Sequence, residues 1–215
     1  MGNNKTYKDF LVALLSGKRL DCSRAAREYF SRGHDIKDLY ENVIKKSLYI
    51  IGKLWELNKI TVAAEHMAAS FTEAILNEFY GEIISDKRLG KKVLAGCVEN
   101  EFHQIGIKMI GDIFEMNGWD TYFLGANVPA DDLVLFAKIN RPDIIALSLS
   151  IYSNLASLEK MIMKIRAEIP GIIILVGGQA FNHGSHDFLK NYQNTVYLPD
   201  LESVDIFIKR MNQNG

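Results

Sequence analysis

The spacing of the hydrophobic residues along the chain changes near residue 90. Before that point, apolar residues recur every three or four positions, which is the pattern of amphipathic helices. The spacing predicts two short helices over 6–33, a long helix over 35–58 and a further helix over 62–81. Four helices joined by short loops indicate a helical bundle.

After residue 90, short apolar runs alternate with amphipathic stretches, and a helix over 200–212 closes the pattern. This alternation predicts an α/β domain with a doubly wound, parallel, five-stranded sheet of Rossmann-like (flavodoxin-like) type. We therefore predict a four-helix-bundle cap domain over 1–84, a polar linker over 85–90 and the Rossmann-like domain over 91–215. The predicted strands lie near 92–98, 120–124, 143–149, 172–176 and 195–198.

Composition and charge narrow the possible partners. The net charge of −1, with 24% charged residues, gives no support for nucleic-acid binding. No apolar run approaches the roughly 20 residues that cross a bilayer, and the first residues do not resemble a signal peptide. Cys22 and Cys97 form no Cys-x-x-Cys pair, and Cys97 falls in a predicted buried strand. We expect a reduced, cytoplasmic protein that binds neither nucleic acid nor a membrane.

The first candidate for chemistry is the stretch Glu101-x-His103-x-x-Gly106, directly after the first predicted strand. Ligands bind at the carboxyl ends of strands in open parallel sheets. Neutral imidazole is a common metal ligand, and its second nitrogen is usually held by a carboxylate or carbonyl, a role that suits Glu101. A His beside a Glu in a loop is also a common structural pair, so this stretch alone leaves both interpretations open.

Two further pieces follow at the ends of later predicted strands. Ser148-Leu149-Ser150 begins after 41 intervening residues, and Gly177-Gly178 after 26 more. Together with Glu-x-His-x-x-Gly, these pieces resemble the cobalamin-binding domain of methionine synthase, mutases and corrinoid methyl carriers. The signature of that family is Asp-x-His-x-x-Gly, then Ser-x-Leu, then Gly-Gly. The resemblance covers roughly residues 88 to 215.

The resemblance implies that His103 is the lower axial ligand of cobalt and that the displaced nucleotide tail enters a slot in the domain. Ser148 would lie beside the buried base. Two residues depart from the signature, since Glu101 replaces Asp and Ser150 replaces Leu. The other residues implied to contact the cofactor are Gln104, Ile105, Gly106, Gly177, Gly178, Gln179 and Phe181.

The helical region holds a second constellation, in which nine residues separate Trp55 from Glu65-His66. One interpretation is a core tryptophan followed by a polar pair early in the next helix. The pattern also resembles the adenosylcobalamin photoreceptors that regulate carotenoid genes, whose loop likewise reads Glu-x-His-x-x-Gly. That resemblance implies that Trp55, Glu65 and His66 surround the adenosyl group. Glu56 stands where some photoreceptors have a second cobalt-binding His.

Two functions therefore compete. The first is a stand-alone adenosylcobalamin light sensor that is not an enzyme. In it, photolysis changes the conformation or the oligomeric state of the protein, which acts as a homo-oligomer or on a downstream signalling protein. The second is the corrinoid methyl-carrier subunit of a methyltransferase, which would use methylcobalamin. The adenosyl-binding constellation favours the light sensor.

Overall fold

The computed structural model of the protein describes residues 2–184 and 186–213, apart from the side chains of residues 2–5 and His183. The chain divides into two compact units, Met1–Ile83 and Ile84–Gly215. The first unit is helical, and the second contains the sheet. No helix in the described part of the chain is both long enough and apolar enough to span a membrane.

The helical unit follows the predicted periodicity, with two changes. The predicted helix over 62–81 is two helices, because the first ends at Glu78 and a short one begins at Tyr80. The predicted helix over 35–58 contains a π-helical segment, Tyr40–Lys45, between two α-helical segments. Asp35 caps its start by accepting the Asp38 N–H at 2.8 Å, and Thr61 caps the next helix by accepting the Ala64 N–H. The α-helices are α1 (Gly2–Leu15), α2 (Arg19–Ser31), α3 (Ile36–Leu39), α4 (Lys46–Glu56), α5 (Val62–Glu78) and α6 (Tyr80–Ile83).

The sheet unit confirms the predicted fold class. Among the described residues, five parallel strands form one sheet in the order β2-β1-β3-β4-β5. The strands are β1 (Lys92–Cys97), β2 (Asp120–Gly125), β3 (Ile144–Ser148), β4 (Ile173–Gly177) and β5 (Thr195–Tyr197). The helices of this unit are α7 (Ile105–Met116), α8 (Ala130–Asn140), α9 (Leu155–Glu168) and α10 (Leu201–Gln213).

Helices cover both faces of the sheet, as double winding requires. Helices α7 and α10 contact each other, and α8 contacts α9. Strand residues such as Leu94, Ile145 and Ile174 share a buried cluster with Leu133 of α8 and Ile162 of α9. Their neighbours along each strand point to the opposite face, because side chains alternate along a strand. Burial on both faces explains why the strands read as continuous apolar runs.

Part of the predicted linker, 85–90, is bound to the sheet unit. The Arg88 guanidinium pairs with Glu115 and with Asp120, each at 2.7 Å. It also donates to the backbone carbonyl of Trp119 at 2.5 Å. The charged residues that indicated a linker therefore include Arg88, which forms ion pairs within the sheet unit.

Candidate functional site

The Glu-x-His loop lies at the switch point of the sheet. Strand β1 lies between β2 and β3, so the connections that follow β1 and β2 leave the sheet on opposite sides. Ligands bind in the crevice that this reversal opens at the carboxyl ends of the strands. Residues 98–104 connect β1 to α7 at this edge, and they carry Glu101 and His103.

The Glu101 carboxylate is fully buried and joins the loop after β1 to the loop after β3. Its Oε1 accepts the His103 backbone N–H at 2.9 Å and lies 2.5 Å from Nδ1 of the His103 ring. Its Oε2 accepts the backbone N–H groups of Ser150 and Ile151, each at 2.8 Å. Four polar neighbours compensate the desolvation that a buried charge would otherwise suffer.

The pKa of Glu101 reflects two opposed effects. Burial raises the pKa, and the hydrogen bonds from the His103 ring and from three backbone N–H groups lower it more. The net result is a pKa lowered from 4.5 to about 2. Glu101 is therefore an ionised carboxylate at neutral pH.

The carboxylate determines which nitrogen of His103 can bind a metal. Because Nδ1 faces Glu101, Nε2 is the ring nitrogen suited to ligation, in the carboxylate–histidine–metal arrangement that is common in metalloproteins. The His103 side chain is 48% exposed while that of Glu101 is fully buried. The pair thus combines a fixed anchor with an accessible imidazole.

The three glycines that are predicted to contact the ligand differ in whether the structure of the protein itself requires glycine. A β-carbon on Gly178 (φ +116°) would lie 2.2 Å from the Leu149 carbonyl oxygen, and one on Gly177 would lie 2.8 Å from that of Leu198. These two positions require glycine because the backbone of the protein itself approaches them. By contrast, a β-carbon on Gly106 would meet only Ser148 Oγ, at 3.8 Å, which is an ordinary contact. Gly106 is also exposed, so intramolecular packing does not explain it.

Gly106→Leu is therefore expected to separate stability from ligand binding. The free energy of unfolding should stay the same or rise by up to about 1 kcal/mol, because glycine is a poor helix former. The resemblance implies that Gly106 contacts cobalamin, and in that case the affinity for cobalamin should fall about 10- to 100-fold, because overpacking costs ~1–3 kcal/mol. Thermal denaturation without ligand and equilibrium titration with cobalamin measure the two effects.

Gly81→Leu is the matched control for that substitution. Gly81 lies in α6, and an added β-carbon there meets no atom within 4 Å. This variant should keep the affinity of the wild type. Equal cobalamin affinity in the Gly106→Leu variant and the wild type would show that Gly106 does not face the ligand.

The remaining predicted contact residues of the sheet unit differ in accessibility. Ser148, at the end of β3, and Ile105, at the start of α7, are buried, and Gln179 is exposed. Phe181 is buried in the core and lies against Tyr197, with ring centroids 5.3 Å apart. Its side chain is therefore a core element, which leaves its backbone as the part able to face a ligand.

Gln104 and Ser150 take part in the contacts between loops. Gln104 Oε1 accepts the backbone N–H of Ala126 at 3.0 Å, which ties the start of α7 to the loop after β2. The Ser150 backbone N–H is already bound to Glu101. Both residues therefore help to shape the His103 loop, whatever contact they make with a ligand.

Large apolar side chains are exposed near the same edge of the sheet. Phe102, beside His103, is 67% exposed. Phe123 near the end of β2 and Ile151 and Tyr152 after β3 are also exposed. Exposed apolar groups at the edge of a sheet where ligands bind are typical of a ligand-binding surface.

In the helical unit, Trp55 is 42% exposed in the last turn of α4, so the interpretation as a core tryptophan is wrong. The buried stripe of the long helix includes Ile44 and Ile51 but stops before Trp55. His66 is 74% exposed, and its Nε2 lies 3.6 Å from Oε2 of the half-buried Glu65. The short connection over 57–61 brings the end of α4 and the start of α5 to the same end of this unit.

The sequence reasoning missed three asparagines that hold the His103 loop. The Asn127 side chain accepts the Asn100 N–H at 2.8 Å, and the Asn154 side chain donates to the Asn100 carbonyl at 3.0 Å. Their positions could have indicated this role, because each asparagine follows a predicted strand. Asparagine also favours left-handed backbone, which Asn100 and Asn127 adopt.

Comparison with known families gives two matches along the chain. Residues 91–199 match a family described as the B12 binding domain, and residues 6–79 match a second family with the same description. The first match covers the sheet, and the second covers most of the helical unit.

Relatives of two kinds are similar to this chain. The HTH-type transcriptional repressor CarH of Myxococcus xanthus is 29% identical over 143 residues, which cover 66% of this chain and 47% of that protein. The chain thus spans about half the length of that relative, and 31% of the related repressor CarA. Dimethylamine corrinoid protein 1 of Methanosarcina acetivorans is 24% identical over 180 residues, which cover 80% of this chain and 84% of that protein.

Among solved structures, the monomethylamine corrinoid protein of Methanosarcina barkeri superposes with a TM-score of 0.82. The alignment covers 97% of this chain and 100% of that protein at 14% sequence identity. At this identity, the similarity shows a shared fold.

Proposed function

Because this chain belongs to the B12 binding domain family, we propose that it is an adenosylcobalamin light sensor in which His103 ligates cobalt. The observation that carries the ligand assignment is the buried Glu101 carboxylate, which holds Nδ1 and leaves Nε2 as the metal-binding nitrogen. Cobalamin binding follows from the family, and the adenosyl form and the response to light are our proposal.

The residues at the switch point fit a corrinoid. A corrinoid brings its own metal and most of that metal's ligands, so one protein ligand would be enough, and His103 would provide one accessible imidazole. The exposed apolar side chains of Phe102, Ile151 and Tyr152 suit packing against the apolar atoms of such a ring, whose polar amide groups project from its periphery. The absence of a side chain at the exposed Gly106 suits close approach of the nucleotide tail.

When bound, the cofactor supplies a cobalt centre and, in its adenosyl form, a cobalt–carbon bond that light can break. The residues of the chain bind and orient it. Glu101 keeps the His103 ring in one tautomer and one orientation. The loop after β3 holds Glu101 in turn, because its backbone N–H groups donate to the other carboxylate oxygen.

The helical unit supplies the features that favour the adenosyl form. An exposed indole is an apolar surface that gains from stacking on a flat aromatic ligand such as adenine. Glu65 and His66 offer hydrogen-bonding groups for a ribose and a base. We propose that these three residues contact the adenosyl group and that its departure removes their ligand, which shifts the protein to a second state.

Light is expected to change the size-exclusion elution of the protein loaded with adenosylcobalamin in the dark. Free adenosylcobalamin is itself light-sensitive, so a change in absorbance alone does not test the proposal. The elution of illuminated protein should differ from that of the dark sample and should match that of protein loaded with hydroxocobalamin. Trp55→Ala should still bind cobalamin through His103 and lose most of the difference between light and dark.

Tyr80→Ala is the matched control, because Tyr80 is another exposed aromatic residue of the helical unit. It should respond to light as the wild type does. Identical elution of wild-type protein in the dark and after illumination would contradict the sensor.

A corrinoid methyl carrier is the second candidate. The similarity to dimethylamine corrinoid protein 1 covers 80% of this chain and 84% of that protein, which is a larger share of both than the similarity to CarH covers. In that role the bound cofactor would carry a methyl group, and Trp55 would have no adenosyl group to contact. Protein that ignores light but exchanges a labelled methyl group with a corrinoid-dependent methyltransferase would support the carrier.

A further inference from the structure

The His103 loop is fastened to the loop after β2 by three hydrogen bonds. The Asn127 backbone N–H donates to the Glu101 carbonyl at 2.7 Å. The Asn127 side-chain oxygen accepts the Asn100 N–H at 2.8 Å, and the Gln104 side-chain oxygen accepts the Ala126 N–H at 3.0 Å. Backbone and side chains therefore tie residues 100–104 to the same neighbouring loop.

The loop after β3 holds the opposite side of the same segment. Glu101 Oε2 accepts the Ser150 and Ile151 N–H groups, and the Asn154 side chain donates to the Asn100 carbonyl. Because β1 lies between β2 and β3, its loop is bound from both flanks. Such an arrangement fixes the ligand-bearing loop in the structure of the protein alone.

Asn127 is the residue that forms two of these bonds, one through its backbone and one through its side chain. Its backbone is left-handed (φ 49°), as is that of Asn100 (φ 69°). Asparagine tolerates this conformation better than other side chains with a β-carbon. Its exposed side chain belongs to no apolar cluster, so its contribution is the acceptor that it offers to Asn100.

We propose that Asn127 is a positioning residue, which holds the His103 loop in its metal-binding conformation before the cofactor arrives. The inference rests on the proposed role of His103 as the cobalt ligand. Asn127 acts through Asn100 and Glu101, one step removed from the imidazole. Residues that orient a metal ligand from outside typically change metal affinity about 10- to 100-fold when they are replaced.

The test compares three substitutions. Asn127→Gly keeps the left-handed backbone available and removes only the side-chain acceptor. Asn127→Asp keeps an oxygen acceptor, so this variant should behave as the wild type does. Asn194→Gly is the matched control, because Asn194 is also left-handed (φ 54°) and its side chain makes one hydrogen bond, to the Gly171 carbonyl before β4.

Two measurements are made on each variant of the full chain. The first is hydrogen–deuterium exchange of the ligand-free protein, resolved over residues 99–104. The second is dark titration with adenosylcobalamin, with the absorbance spectrum reporting whether a histidine ligates cobalt. Asn127→Gly should exchange faster over this segment, bind about 10-fold more weakly or worse, and show a smaller histidine-ligated fraction.

The outcomes separate this inference from the proposed function. Wild-type exchange, affinity and spectrum in Asn127→Gly would overturn the inference while leaving the His103 assignment intact. Failure of the wild type to bind cobalamin would overturn the proposed function, and the exchange data would still decide whether Asn127 holds the loop. Faster exchange in Asn194→Gly over the same segment would also count against a specific role.

Because Asn127 is exposed, folding should survive its replacement, and Asn127→Ser provides a second variant that shortens the side chain.

Discussion

His103→Ala is expected to lose the histidine-ligated spectrum of bound adenosylcobalamin and at least about 100-fold in affinity, which corresponds to ~2.7 kcal/mol of binding free energy. The fold should survive, because the imidazole is about half exposed. The Glu101 carboxylate also keeps its three backbone donors in this variant. Dark absorbance spectra and equilibrium titration measure the loss, and circular dichroism tests the fold.

His34→Ala is the control for the loss of an imidazole. His34 belongs to the helical unit, where its ring stacks on Tyr29 at 4.1 Å and its Nδ1 lies 3.5 Å from Asp38. This variant should keep the histidine-ligated spectrum. A histidine-ligated spectrum that persists in His103→Ala would show that another residue binds cobalt and would end the site assignment.

Glu101→Ala is expected to destabilise the sheet unit by about 3–5 kcal/mol, because it removes a buried charge and leaves its hydrogen-bond donors without an acceptor. Glu101→Gln should cost less, about 1–3 kcal/mol, because its amide keeps one oxygen and turns an NH₂ group towards the other donors. Urea unfolding followed by fluorescence measures both. In a Trp55→Phe background, the buried Trp119 becomes the sole tryptophan and reports on the sheet unit.

Glu99→Ala provides the comparison for that series. Glu99 is an exposed carboxylate two residues before Glu101, so its loss should change stability by no more than about 0.5 kcal/mol. A Glu101→Ala variant as stable as Glu99→Ala would show that the carboxylate does not hold the two loops together. The affinity of Glu101→Ala for cobalamin should also fall, since the His103 ring would lose its fixed orientation.

The hydrophobic pattern predicted the helices and strands because their periodicity is set by residues within a few positions of one another. Apolar residues spaced three and four apart marked the helices, and short apolar runs marked both ends of each strand to within one residue. The pairing of Glu101 with His103 was also accessible, because the two residues are close in sequence. The π-helical segment Tyr40–Lys45 was not, since its apolar positions keep ordinary helical spacing.

Contacts between distant segments escaped prediction for a different reason. The resemblance implies that Gly177 and Gly178 contact the cofactor, but it does not indicate that the carbonyls of Leu198 and Leu149 approach them closely enough to require glycine. The sequence allows Trp55 to be a core tryptophan, and only the packing of the whole helical unit shows that the buried stripe of the long helix ends before it. In each case the deciding neighbour is remote along the chain.

The sequence by itself determined the fold class, the family resemblance and the imidazole that we propose as the metal ligand, because these follow from local periodicity and from motifs at the ends of strands. Only the tertiary structure decided what holds that imidazole. The placement of β1 between β2 and β3 brings Asn127, Ser150 and Asn154 against one loop, although they lie far from it in sequence. Strand order is a property of the whole packed sheet, so no local pattern specifies these contacts.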